Sequence, residues 1–351
     1  MGWRNLPGGR GAAISILCLA AAVLPSIAPA SRLAGFPSAA SSDSAAAAAP
    51  TPAPDTSAPP EPPVQLVLGE LTNRSAPVPA GPTTFVPILL YHYIRINPNP
   101  ADRVGFNLST PPAMFFAQMQ YLSDHSFHVL SLHQAVEAIR QHRPLPSRPV
   151  VLTFDDGYAD FLTAAVPAMR AHGFTATDFV ISGRMGVTGF MSPAQVLAAD
   201  GMGFNIGAHT VDHYALAALP PARASWEMRQ SKLALESLLG HPVIDFAYPY
   251  GSYNAYDTTE ARRLGFETAA STLTGMVHTA GQLMFLSRVR IGGAMSLSTY
   301  ARLIGGPAPS HAESTAAGPA PSPTPTPTRV PTATPSALPI ATPSKSPALV
   351  R

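Results

Sequence analysis

Cysteine is almost absent: Cys18 is the single thiol among 351 residues. No intrachain disulfide can form, and once the segment that holds Cys18 is removed, no thiolate chemistry is available either. Charge is scarce too, at 12% of residues with a formal net charge of +2. With no basic stripe in the chain, nucleic acid is excluded as an expected partner. Proline, in contrast, is abundant at 40 residues. These prolines are unevenly spread, so the folded part is shorter than the length suggests.

The N-terminus carries Arg4 and Arg10, an apolar run over 12–30, and Ala28-Pro29-Ala30. That is the order of a secretory signal cut after Ala30. The run is also long enough to remain as a membrane tether if uncut. Leu17 before Cys18 argues against a lipoprotein site. Residues 1–30 are therefore expected to direct export, to the exterior or the cell envelope. Residues 31–84 are rich in Ala, Pro and Ser and bury too little to offset the entropy of ordering, which predicts a linker. Residues 306–351 hold twelve prolines in a Pro/Thr/Ser tail, expected to be extended and disordered. Between them, 85–305 has the size of one α/β domain, expected to be monomeric.

Within that domain strand and helix alternate. Apolar runs at Phe85–Tyr91, Val150–Phe154, Ala176–Ile181, Phe204–Ala208, Val243–Ala247 and Phe285–Ile291 read as strands. Helical spacing with cap signals lies between most of them, including Ser131 with Gln134, Ser192-Pro193, and a long helix from Pro221 closed by Gly240. The alternation predicts a mainly parallel sheet, closed or nearly closed. Active sites in such folds gather at the carboxyl ends of the strands.

Four polar or tight-turn clusters fall at that one face: His92, Asp155-Asp156-Gly157, His209, and Pro249-Tyr250-Gly251. A lone Asp-Asp-Gly after a strand is most simply a turn. Two adjacent acids at the end of a buried strand, however, need a cation or a proton to be tolerated. The pair His209 and His213, four apart, can converge on a metal. An Asp/His/His set is suited to Zn²⁺ with an open position for water.

Thr153-Phe154-Asp155-Asp156-Gly157 together with His209-Thr210-Val211-Asp212-His213 resembles the first two motifs of the polysaccharide deacetylases (the NodB homology domain). The resemblance spans about 85–304 and implies a distorted (β/α) barrel. It also implies removal of acetyl groups from a polysaccharide, most simply N-acetyl groups of N-acetylglucosamine units in an extracellular or cell-wall glycan. By the same resemblance Asp156, His209 and His213 hold a divalent metal, zinc by preference. Asp155 is the general base, and the Tyr250 main-chain N–H is an oxyanion donor. The family's motif arginine is missing, because Ala247 stands in its place. Arg288 or Arg290 is left as a substitute, and both join Tyr248 and Pro249 as candidate substrate contacts. The late Leu-x-His that supplies the family's general acid reads Leu286-Ser287-Arg288. The Tyr91-His92-Tyr93 element is similar to the branch acting on poly-β-1,6-N-acetylglucosamine, so His92 is the candidate replacement acid. A non-catalytic glycan binder and a hydrolase for O-acetyl or non-sugar amide substrates are the alternative readings.

Overall fold

The structure is a computed structural model that describes residues 81–99 and 101–316. The signal segment or tether, the linker as far as residue 80, and the tail beyond residue 316 lie outside the described residues.

A ring of parallel strands forms the centre. In chain order these are β2 (Ile88–Tyr91), β4 (Pro149–Asp156), β5 (Thr177–Val180), β6 (Asn205–Ala208), β7 (Asp245–Ala247), β8 (Thr268–Thr274) and β10 (Leu286–Arg290). Neighbours run β2-β10-β8-β7-β6-β5-β4, and β4 pairs back onto β2 to close the ring. The short strand β3 (His128–Leu130) pairs with the first half of β4, on the edge where β5 takes the second half. Outside the ring, β1 (Thr84–Phe85) pairs antiparallel with β9 (Val277–His278). The expected barrel is present, distorted by its unequal strands.

Helices cover the outside. They are α1 (Arg103–Leu108), α2 (Pro112–Asp124), α3 (Leu132–Arg140), α4 (Val166–Arg170, led in by a π turn over Phe161–Ala165), α5 (Pro193–Gly201), α6 (Pro221–Leu239), α7 (Ala255–Arg263), α8 (Leu297–Leu303) and α9 (His311–Ala316). Among the described residues no helix is long and apolar enough to cross a membrane.

Strand parity sorts the chemistry. Val150, Leu152 and Phe154 face the outer core beneath the helices, whereas Val151 belongs to the inner cluster with Ile88, Phe179, Ala247 and Leu286. Thr153 and Asp155 share the parity of Val151 and so point into the barrel. On β2 the same alternation sends Ile88 inward and Leu89 and Tyr91 outward, which brings His92 to the inner mouth.

Several boundaries differ from expectation. The first strand is broken because Pro87 cannot donate to a ladder, leaving β1 and β2 separate. Strands β3 and β8 and helix α1 are additional to the expected elements. Ordered structure also runs past residue 305: the Tyr121 hydroxyl donates to the Pro307 carbonyl (2.5 Å), and His125 Nε2 meets Glu313 Oε1 at 2.8 Å. The start of the expected tail therefore packs on α2.

Candidate active site

Asp155 and Asp156 end β4, His209 follows β6, Tyr250 follows β7 and His92 follows β2. All stand at the carboxyl mouth of the barrel, where side chains from distant segments meet. The backbone there is unusual. Asp156, Thr210, His213 and Tyr250 all have positive φ (84°, 66°, 63° and 62°), a region that residues with a Cβ adopt at a cost. Among the described non-glycine residues only Ser126, His142 and Arg148 share it.

The positive φ of Asp156 swings its carboxylate toward the two histidines. His209 Nε2 and His213 Nε2 stand 3.5 and 3.3 Å from Asp156 Oδ1, yet that buried oxygen accepts no hydrogen bond. The three ligand atoms lie within 4.8 Å of one another. His209 donates Nδ1–H to the Ala247 carbonyl at 2.7 Å, which leaves Nε2 as the lone-pair nitrogen facing Asp156. Three electron-rich atoms facing one another repel unless a proton or a cation lies between them. Burial opposes charge here, but His213 and His209 outweigh it and hold Asp156 well below the usual carboxylate range. For His209, likewise, burial is outweighed by Asp156 and Asp155, and its pKa is raised. The cluster attracts positive charge, and its two nitrogens and one carboxylate suit a divalent ion of the zinc type.

Asp155 points the other way, into the barrel. Arg288 Nη1 donates to its Oδ1 at 2.7 Å and Nη2 to its Oδ2 at 2.6 Å. The same guanidinium donates through Nε to the Ser271 carbonyl (2.9 Å) and through Nη1 to Thr153 Oγ1 (3.2 Å). Burial raises the pKa of Asp155, but Arg288 overrides it and holds the group below its ordinary value. Arg288 is 1% exposed. The expected substrate contact is therefore corrected: this arginine lies buried against Asp155 and does not line the cleft.

Two further expectations are corrected. Tyr248 is fully buried, with its ring against Phe246 and its hydroxyl donating to the Met284 carbonyl (2.9 Å). Pro249 is buried and does not line the cleft. Neither is placed to touch a substrate. Tyr250 is, with its ring 4.5 Å from that of His213.

The cleft is lined by His92, Asp155, Asp156, Tyr158, His209, His213, Tyr250, Thr272 and Arg290, with Val104 and Leu108 from α1. A second recess shares Asp156, Tyr158, His213 and Tyr250 and continues past Ile181, Arg184, Phe190 and Asp212. The open groove thus passes over Asp156, His209 and His213. Its wall carries the rings of Tyr158 and Phe190 (5.0 Å between centroids), and Tyr158 in turn stacks on Tyr93 (3.6 Å), over which Arg95 lies (3.3 Å). This wall went unread in the sequence, although Tyr93 and Tyr158 adjoin the His92 and Asp155-Asp156 motifs. His92 is half-buried with no partner at Nδ1. Burial lowers its pKa to about 4 against the pull of Asp156 and Asp155, so at neutral pH its ring is uncharged.

With this geometry in hand, comparisons with known proteins add an independent line. A family model described as polysaccharide deacetylase matches residues 142–269, which takes in Asp155, Asp156, His209, His213 and Tyr250. The chain is 29% identical over 219 residues to YxkH of Bacillus subtilis (strain 168), named as a polysaccharide deacetylase, covering 62% of this chain and 76% of that one. It is 41% identical over 59 residues to the poly-β-1,6-N-acetyl-D-glucosamine N-deacetylase of Escherichia coli (strain K12), covering 17% of this chain and 9% of that one. Among solved structures, the Streptococcus pyogenes deacetylase PplD in complex with acetate superposes with a TM-score of 0.59 at 30% identity, covering 63% of this chain and 98% of that one.

Proposed function

The chain belongs to the polysaccharide deacetylase family and is a deacetylating hydrolase, and from that premise we propose that it removes N-acetyl groups from N-acetylglucosamine units of an extracellular or cell-wall polysaccharide, using a divalent metal, zinc, held by Asp156, His209 and His213. The observation that carries this reading is the division of labour between adjacent acids. Asp156 faces two imidazoles, while Asp155 is gripped by Arg288 on the other side. An open groove walled by aromatic rings suits a chain of sugars, whose C–H faces stack on such surfaces. The local identity to a poly-β-1,6-N-acetyl-D-glucosamine N-deacetylase supports the choice of sugar.

A divalent ion at this cluster would lower the pKa of water and polarise the acetyl carbonyl. The rest falls to the protein. Hydrolysis puts the water's hydroxyl on the acetyl carbon, breaks the C–N bond and sends a proton to the leaving nitrogen. Asp155, ionised well below neutrality, accepts the proton of the attacking water. Its depressed pKa then makes its acid form a ready donor back to the amine. The Tyr250 main-chain N–H serves the developing oxyanion. His92, uncharged at neutral pH, acts as a neutral hydrogen-bond donor rather than as a standing imidazolium, which modifies the role expected of it from sequence.

Acetate release from poly-N-acetylglucosamine, chito-oligosaccharides and peptidoglycan, with and without chelator, tests the reading; release from none of them would defeat it. For His92→Ala we expect turnover to fall about 100-fold with metal affinity kept, and unchanged turnover removes His92 from the mechanism. Export is proposed on the same basis as before, the charged start and apolar run of the first thirty residues. Recovery outside the cell of a chain beginning at Ser31 would support cleavage, and a full-length membrane-bound chain would support the tether.

A further inference from the structure

The segment that carries both histidine ligands is braced from behind by one buried carboxylate. Glu227 sits on α6 with its side chain fully buried. Its Oε2 accepts the main-chain N–H groups of Val211 and Asp212, both at 3.0 Å. Its other oxygen is 2.9 Å from Arg223 Nη2, which is also 2.9 Å from Asp212 Oδ2. Arg223 in turn lies over the Trp226 ring at 4.3 Å.

This segment needs bracing. Thr210 and His213 both hold positive φ, at a cost on the order of 1–3 kcal/mol each, so the conformation persists only if its surroundings impose it. The opposite side is fixed by the Ser182 and Gly183 amides, which donate to the Thr210 and Val211 carbonyls at 3.0 Å. Those bonds use the segment's acceptors; Glu227 supplies the matching anchor for its donors. A buried carboxylate is costly to desolvate, and at this position a helix packing on β6 could have carried an apolar residue. What the carboxylate provides is an acceptor that takes two adjacent amides at once, in the stretch between His209 and His213.

We propose that Glu227 is a positioning residue of the metal centre: by clamping the Val211 and Asp212 amides it sets the spacing of His213 relative to His209 and Asp156, and with it the affinity for the ion. The proposal rests on the reading of those three side chains as metal ligands. Residues that orient ligands are typically worth 10–100-fold in metal affinity.

The test titrates zinc into the metal-free full chain against a competing chelator, with circular dichroism confirming the fold. Wild type that binds no divalent ion defeats the metal reading itself. Given wild-type binding, Glu227→Asp keeps the charge but withdraws it by one methylene, and its affinity should fall 10–100-fold. Glu227→Gln keeps an oxygen within reach of both amides and should lie closer to wild type than Glu227→Asp does. Wild-type affinity in Glu227→Asp overturns the proposal, as does a Glu227→Gln variant no better than Glu227→Asp. A second measurement needs no variant. In the metal-free wild type, the Val211 and Asp212 amides should exchange with solvent as slowly as those of the barrel strands. Free exchange that becomes slow only on adding zinc would show that the ion, and not Glu227, orders the segment, and would overturn the proposal even if Glu227→Asp fails to fold.

Discussion

Arg288 on β10 grips both carboxylate oxygens of Asp155 on β4, 133 positions away in the chain, at 2.7 and 2.6 Å. The pair is almost fully buried. Planar guanidinium and planar carboxylate match in a fork that fixes the direction as well as the charge of the Asp155 side chain. Arg288→Met leaves a buried carboxylate unpaired, and we expect destabilisation of about 3–5 kcal/mol by urea unfolding. Arg288→Lys keeps charge but not the fork, so it should fold better while turnover still falls at least roughly tenfold. The pH profile gives a second readout. A base works only when ionised, so activity is present above its pKa and lost as pH falls through it. Arg288 holds Asp155 below the ordinary value against the effect of burial. The acid limb of kcat/KM assigned to this group should therefore lie below the ordinary carboxylate range in wild type and move to higher pH in Arg288→Lys.

Placing an arginine back at the motif position should not help by itself. Ala247 is fully buried in the inner cluster with Phe179, Ala270 and Leu286, and its carbonyl orients His209. Ala247→Arg in the wild-type background puts a second cation into an interior that already holds Arg288 and overpacks it, which should cost more than about 3 kcal/mol. Combined with Arg288→Ala, the new side chain gains both space and an unpaired acid. The double variant should recover at least roughly tenfold in turnover over Arg288→Ala alone, measured as acetate release. No recovery would show that the two positions cannot exchange roles.

What the sequence made legible follows from range. The convergence of Asp156, His209 and His213 could be read because its parts announce themselves locally: two acids ending a buried strand, and two histidines four apart after another. The parallel barrel followed from alternation of period. Arg288 could be nominated but not placed, since its role depends on a contact between β4 and β10 that no local pattern encodes. Tyr248 is buried and not at the cleft for a related reason. Its neighbours Pro249 and Tyr250 turn sharply at the mouth, and strand parity sends Tyr248 outward beneath the helices. Glu227 was invisible because Arg223 and Glu227, at i and i+4, look like an ordinary surface pair on an amphipathic helix.

Removing metal should separate stability from chemistry. Asp156 ends β4 and His209 and His213 follow β6, strands joined by main-chain pairing of β4 with β5 and β5 with β6, so a chelator is expected to abolish acetate release while leaving the far-ultraviolet circular dichroism of the barrel intact. The melting temperature should drop, because an ion bound only to the native state stabilises it by about 4 kcal/mol at a thousandfold excess over Kd. Zinc added back should restore both. Full activity in excess chelator, with metal content checked by elemental analysis, would contradict the assignment of the three ligands.

His278, which ends β9 opposite Thr84 of β1, should make the fold acid-sensitive. It is 1% exposed, meets the Val86 carbonyl through Nε2 at 3.1 Å, and has no partner at Nδ1. Burial lowers its pKa from 6.5 to about 4, so the native ring is neutral while the unfolded one takes up a proton near 6.5. The stability this represents is complete above the unfolded value and is lost as pH falls from 6.5 toward 4; below that both states are protonated and no more is lost. A shift of this size corresponds to a loss on the order of 3 kcal/mol. His278→Gln can keep a donor to the Val86 carbonyl and cannot titrate. Urea unfolding of both proteins at pH 7 and near pH 4 should show wild type losing roughly 2–3 kcal/mol more than the variant, with all other titrating groups cancelling in the difference. Equal losses would mean that His278 is protonated in the native state, which would require solvent to reach Nδ1.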